Sequence, residues 1–377
     1  VTLPTFGDAK VADAVVVTPG EPPDSSVCSD KPIAIERVIG QACGGTVDAG
    51  TSTVVRVCFA KPDSGDCDAA YSRACVVSKY NCGLAQAGDT FGCGPLADRP
   101  EACCYEVFGS CPIGRPFTVD GHARLASVQP DTGWSGSEGL PEVSRLDDTT
   151  RAALALAWTE EARTEHASVA SFARMVLELL SLGAPAELVG ETLRAAEDER
   201  RHAIVAFTFA SHYGHAELAP GPLDIRECLA ASSAPEIAER LAGEGCVAET
   251  VSALLVGEAA ELADDPAVRE HLMRVAEEES AHALLAWRTL AWLLSRRSNE
   301  RDEVHASVAR AFARAEHYVG IGSEIHEGTE SSLRAHGQLS PSVKRSIARS
   351  VLGSVVAPAA RAALARVEPP DGLVSVA

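Results

Sequence analysis

Positive charge is what this sequence has least of: 33 Lys and Arg stand against 53 Asp and Glu, a formal net charge of −20 over 377 residues. A chain this poor in basic residues has no field with which to hold phosphate backbones, which excludes nucleic acid as a partner. Aromatic residues make up only 5%, and few of them fall in the first hundred positions, where no large apolar core can form. No C-x-x-C pair occurs anywhere, which argues against a thiolate zinc site and against a rubredoxin-like electron-delivery module. Long apolar runs are missing too. The stretch from Leu284 to Leu294 is interrupted by Arg288 and falls short of the ~20 residues a spanning helix needs, so no membrane crossing is expected. Residue 1 is Val and no charged, then apolar, leader follows, so any signal peptide is expected to have been removed or left out.

Cysteine is present in quantity but unevenly. Ten of the 12 cluster at the N-terminal end, at Cys28, Cys43, Cys58, Cys67, Cys75, Cys82, Cys93, Cys103, Cys104 and Cys111. The other two, Cys228 and Cys246, form a separate close pair. Dense, even-numbered cysteines without metal-site spacing imply complete disulfide pairing in an oxidising compartment, with Cys228 bonded to Cys246 and the N-terminal connectivity left open. Periplasm, cell surface or external medium all satisfy this.

The chain divides by composition. Residues 1–27 are rich in Pro and Gly and read as an extended arm. Residues 28–128 show short β-like runs, among them Val54–Phe59, Ala74–Val77 and a hairpin in which Phe117–Val119 and His122–Leu125 flank Asp120-Gly121, consistent with a small disulfide-stapled β or irregular module. A linker covers 129–146, its Gly, Ser and Pro concentrated between Gln129 and Pro141. From 147 to 300 Ala, Leu, Glu and Arg dominate with helical periodicity. Helices are predicted near 149–182, 185–212, 234–264 and 266–297, with a helical extension over 301–377 that contains two more, near 301–318 and 341–365. Leu182-Gly183 and Asp264-Asp265-Pro266 make the turns between helices 1 and 2 and between 3 and 4 very short. The 20-odd residues from Ser211 to Ala231 are long enough to cross over the length of the bundle. The expected architecture is therefore a multidomain chain whose second domain is an all-α four-helix bundle with extra C-terminal helices.

Acidic residues stand where that bundle should be apolar. The inward stripe of helix 1 runs Trp158, Ala162, Glu165, Val169, Phe172, and that of helix 3 runs Cys246, Glu249, Ala253, Val256. Helix 2 gives Ala195, Glu199, His202, Ala206 and helix 4 gives Val275, Glu279, His282, Ala286. An i, i+3 pair projects from one helical face, so each Glu-x-x-His aims both groups at one spot. The 34 residues from Glu165 to Glu199 and the 30 from Glu249 to Glu279 correspond to travel up one helix and down the next, which returns the motifs to one level. Four buried carboxylates demand positive charge. Two divalent cations supply it, and the oxygen and imidazole donors suit iron or manganese and also accept zinc.

Glu, Glu-x-x-His, Glu, Glu-x-x-His over about 150–297 resembles the ferritin-like di-iron carboxylate superfamily. The resemblance implies two iron ions bridged by Glu199 and Glu279, with Glu165 and Glu249 as terminal carboxylates and His202 and His282 as terminal nitrogen ligands. Asp198-Glu199-Arg200-Arg201-His202 is similar to the D-E-x-R-H string of the di-iron oxygenases, in which the leading acid supports a His ligand from behind. That gives Asp198 a supporting role and Glu278 the counterpart role in helix 4. His166, about 100° off the ligand face, is not a ligand on this pattern, and Arg200, Arg201 and Glu161 read as surface residues.

Three functions fit. One is an extracytoplasmic di-iron oxidase or oxygenase using O2 or peroxide on an unidentified small molecule. Another is a ferroxidase that sequesters iron, and the third a non-enzymatic surface protein, with an envelope partner, whose bundle is metal-stabilised or metal-free. A homo-oligomer is compatible with each.

Overall fold

The computed structural model of the chain describes residues 114–315 and 327–365 apart from 120–121, 137–138, 231–232 and 297–298, together with six short strands between 34 and 108 and the positions Lys61, Cys67 and Leu96. The described residues are mostly helical.

In the N-terminal part a four-stranded antiparallel sheet runs in the order β1 (Ala34–Val38), β4 (Val54–Ala60), β6 (Ala102–Phe108), β5 (Gly92–Cys93), with β2 (Gly40–Ala42) and β3 (Gly45–Val47) paired apart from it. Successive strand residues face opposite sides, so the adjacent Cys103 and Cys104 carry one bridge on each face. Cys104 bonds Cys58, directly opposite in the β4–β6 register, and Cys103 bonds Cys67. Cys28, Cys43, Cys75, Cys82 and Cys111, the side chain of Cys93, and the predicted strand Ala74–Val77 lie outside the described residues. The predicted hairpin forms between β7 (Thr118–Val119) and β8 (His122–Ala123).

Four long helical stretches follow. Helix α1 (Asp148–Ser181) starts where Asp147 accepts from the Thr150 amide at 2.9 Å and stops at Gly183, whose φ of +67° reverses the chain. Helix α2 (Ala186–Gly214) therefore returns antiparallel to it. The third stretch is not one α-helix. It comprises α3 (Ala234–Arg240), a nine-residue π segment (Leu241–Glu249) and α4 (Thr250–Leu262). Helix α5 (Pro266–Ser295) begins on Asp265, whose Oδ1 accepts from the amides of Ala267 and Val268, with Pro266 in the first turn. Helix α1 packs on α2, α2 on α5, and α5 on α4 and the π segment. Their shared core holds Leu154, Trp158, Phe172, Phe207, Phe209 and Leu290, with Trp158 edge-on to Phe209 at 4.9 Å. The connection from α2 to α3 carries β10 (Ala219–Pro220), which pairs with β9 (Val128–Gln129) and so ties the chain just before the linker onto the helical body.

Beyond α5, α6 (Arg301–Ala315) stacks Phe312 on Trp287 with ring centroids 5.5 Å apart. Helix α7 (Glu327–Ala335), which periodicity did not predict, ends in a turn where Tyr213 meets His336 Nδ1 at 2.8 Å. Helices α8 (Pro341–Val351) and α9 (Ala357–Ala365), with a π turn between them, form one run that buries Ala348, Val351, Leu352, Val356 and Ala360.

One stretch bears on the membrane reading, and one expectation needs correction. Ser346–Ala365 is long and apolar enough, by length and composition, to cross a membrane. A search for an unbroken apolar run passes over it because Arg349 and Arg361 interrupt it. Cys228 and Cys246 are not bonded to each other; both are free thiols. Cys246 is buried in the main helical core, whereas Cys228 packs with Phe117, Val119 and Ala167 at its edge. Burial pushes the Cys246 thiol up, so it behaves as a small apolar side chain. Alkylation of the unfolded, unreduced protein followed by peptide mass analysis should label Cys228 and Cys246 and leave Cys58, Cys67, Cys103 and Cys104 unlabelled; a Cys228–Cys246 crosslinked peptide would contradict the structure.

Candidate metal centre

All six residues singled out from the sequence converge. Glu165 comes from α1, Glu199 and His202 from α2, Glu249 from the last position of the π segment, and Glu279 and His282 from α5, and none is more than 5% exposed. They form two overlapping sets, Glu165, Glu199, His202, Glu279 and Glu199, Glu249, Glu279, His282, and within each set one ligand atom per residue lies within 4.8 Å of the others. Glu199 and Glu279 belong to both.

The imidazoles are oriented. His202 Nδ1 faces inward, 3.5 Å from Glu165 and 3.8 Å from Glu199, while its Nε2 lies 2.5 Å from Glu278. His282 Nδ1 lies 3.1 Å from Glu199, and its Nε2 is 3.2 Å from Asp198. A carboxylate against Nε2 assigns the N–H to that nitrogen and leaves the Nδ1 lone pair aimed into the cluster. The support is reciprocal, since Asp198 on α2 holds the imidazole of α5 and Glu278 on α5 holds that of α2. Arg201 closes the arrangement from outside, at 2.5 Å from Asp198 and 2.8 Å from Glu278. It is exposed, as expected, but has a role the sequence pattern did not assign.

Burial, then the neighbouring Glu199, drives the Glu165 carboxyl well above the usual range, and burial, then Glu279, does the same to Glu249. Burial also pushes on Glu199, but the close approach of the His202 and His282 imidazoles outweighs it and holds that group below the usual range. Both imidazoles are raised, because their carboxylate partners outweigh desolvation. The fit to metal rests on atoms left over. Glu165 Oε2, both oxygens of Glu199, Glu249 and Glu279, and Nδ1 of His202 and His282 are buried without a hydrogen-bond partner. Buried polar atoms normally have partners, and nine such lone-pair atoms facing one another are a donor set that can hold metal.

Around the cluster, Phe172 lies edge-on to His282 at 5.1 Å and His271 lies 6.5 Å from His202. Burial, then the nearby His202, pulls the His271 pKa down to about 3, so it is a neutral part of the shell. Its i−8 spacing from Glu279 was the available signal. His166 points away and meets Trp134 edge-on at 4.9 Å. Glu161 is half-buried, and burial pushes its carboxyl up.

No protein-family model, curated protein or solved structure matches this chain, so the site stands on its own geometry.

Because Glu165 and Glu249 hold protons above the usual carboxylate range, metal must displace protons to bind, and affinity should fall as pH is lowered, checked by competition with a chelator at several pH values. Glu278→Gln leaves the ligands intact but loosens His202, and it should weaken binding by ~10–100-fold in the same assay.

Proposed function

We propose that this chain is an extracytoplasmic protein of the ferritin-like di-iron carboxylate type, in which α1, α2, the α3–α4 stretch and α5 form a four-helix bundle around a carboxylate-bridged pair of iron ions that uses O2 or peroxide to oxidise a substrate. The single observation that carries this reading is the overlap of the two donor sets at Glu199 and Glu279. Those two would bridge, Glu165 and His202 would complete one position, and Glu249 and His282 the other. Two divalent ions bring +4 against the four carboxylates, which matches the charge a buried site must neutralise. Bound iron would supply the one-electron chemistry that O2 and peroxide require.

The protein's own residues account for the rest. Glu278 and Asp198 fix the rings of His202 and His282. Phe172 and the surrounding apolar side chains keep bulk water off the inner face of the centre. Glu161, one turn from Glu165, is within electrostatic reach of Glu199, Glu279 and His202, and burial raises its carboxyl pKa. The Cys58–Cys104 and Cys67–Cys103 disulfides support an oxidising compartment.

Metal analysis with absorption spectra in air and after reduction tests the reading. About two irons per chain are expected, and Glu199→Ala or Glu279→Ala should remove both, since each belongs to both donor sets. Loading far beyond two would favour iron sequestration. Absence of bound metal, with thermal stability unaltered by chelator, would overturn the metal reading.

A further inference from the structure

Glu249 reaches the cluster from the end of a π segment, and that backbone form has a geometric consequence. In an α-helix, residues five apart are separated by about 140° around the axis. In i→i+5 pairing they are close to one full turn apart. Glu244 and Glu249 therefore lie on nearly the same side of the helix only because the segment is π. Whatever anchors Glu244 decides which way Glu249 points.

The anchor comes from outside the four long helices. Glu244 is buried and accepts through Oε1 from the Thr118 hydroxyl, and through Oε2 from Arg174 at 2.7 Å and the Ser171 hydroxyl at 3.2 Å. Arg174 also donates to the Thr118 carbonyl and lies over the Phe117 ring at 5.0 Å. Arg115 secures the other end of the same short segment. Its carbonyl accepts from Ser168 at 2.8 Å, its Nε donates to Ser171 at 3.1 Å, and its guanidinium covers Phe172 at 4.7 Å. Phe172 in turn lies against His282. Gly245, next to the anchor, leaves no room for a side chain, since a Cβ there would lie 2.8 Å from Ala286 Cβ and 3.1 Å from Arg115 Nη1. The π segment is thus seated directly on α5, one turn past His282.

The geometry points to Gly114–Val119 as a positioning strap for one half of the centre, in which Glu244 and Arg115 set the register that turns Glu249 inward and the packing that steadies His282. The strap lies N-terminal to the helices, so chain outside the bundle is needed to complete the second metal position. This rests on the metal reading above. The ligands it reaches through the π segment and Phe172, Glu249 and His282, are the two that belong only to the second donor set.

Titration of the full-length protein with Co(II), which reports coordination through its visible absorption, tests the assignment. Wild type should bind two ions. Glu244→Ala should keep one ion at wild-type affinity and weaken the other by about tenfold or more. Arg115→Ala, which leaves Glu244 bonded to Thr118, Ser171 and Arg174, should weaken the same ion, and it carries the test if Glu244→Ala does not fold. Leu154→Ala, a fully buried change about 16 Å along α1 from Glu165, should lower Tm without separating the two binding steps. Two ions at wild-type affinity in both strap variants, or equal weakening of both ions, would overturn the strap assignment while leaving the metal reading intact. A wild-type protein that binds no Co(II) would overturn both together.

Discussion

Four carboxylates share the interior of a helical core, and the cost of that arrangement organises the molecule. Each buried ion costs several kcal/mol even after relaxation, so the cluster survives only if its charge is countered in place. Without metal, protons on Glu165 and Glu249 and positive imidazoles on either side of Glu199 meet part of the need. That solution still leaves nine buried oxygen and nitrogen atoms of the cluster without a hydrogen-bond partner. Two divalent cations would meet the charge and the orphaned atoms at once, and they would account for donors in two sets that overlap at two glutamates.

The remaining structure can be understood as what it takes to hold those donors at one depth. Short turns at Gly183 and Asp265 bring α2 and α5 back level with their partners. The crossed support from Asp198 and Glu278 ties α2 to α5 at the height of the imidazoles, and Arg201 joins the two supports. On the opposite flank the same task falls to the π segment and the strap from the N-terminal side. Stability and site geometry are therefore not separable here, because the groups that orient ligands are also contacts between elements.

Much of this was legible in the chain itself. Periodicity located the four long helical stretches to within a few residues, and the six donors fell on the stripes that proved buried, because Glu-x-x-His on an otherwise apolar face leaves few alternatives. Asp198 and Glu278 were legible through their place beside ligand glutamates, though not the crossing by which each serves the other helix. What was not legible depends on tertiary contact. The π segment has no signature in LAGEGCVAE; its extra residue per turn is held in place by Thr118, Ser171 and Arg174, distant in sequence. The nearness of Cys228 and Cys246 in the chain suggested a bond, but the fold sends one into the core and the other to its edge. Helix α7 is short, with too few turns for its periodicity to stand out.

Anomalous X-ray diffraction from crystals of the iron-loaded protein tests the central claim most directly, since it locates metal without assuming a reaction. The account predicts two peaks roughly 3.5–4 Å apart, both flanked by Glu199 and Glu279, one next to His202 Nδ1 and the other next to His282 Nδ1. No peak among these residues, or a single peak bound through Nε2 with Asp198 and Glu278 displaced, would contradict it.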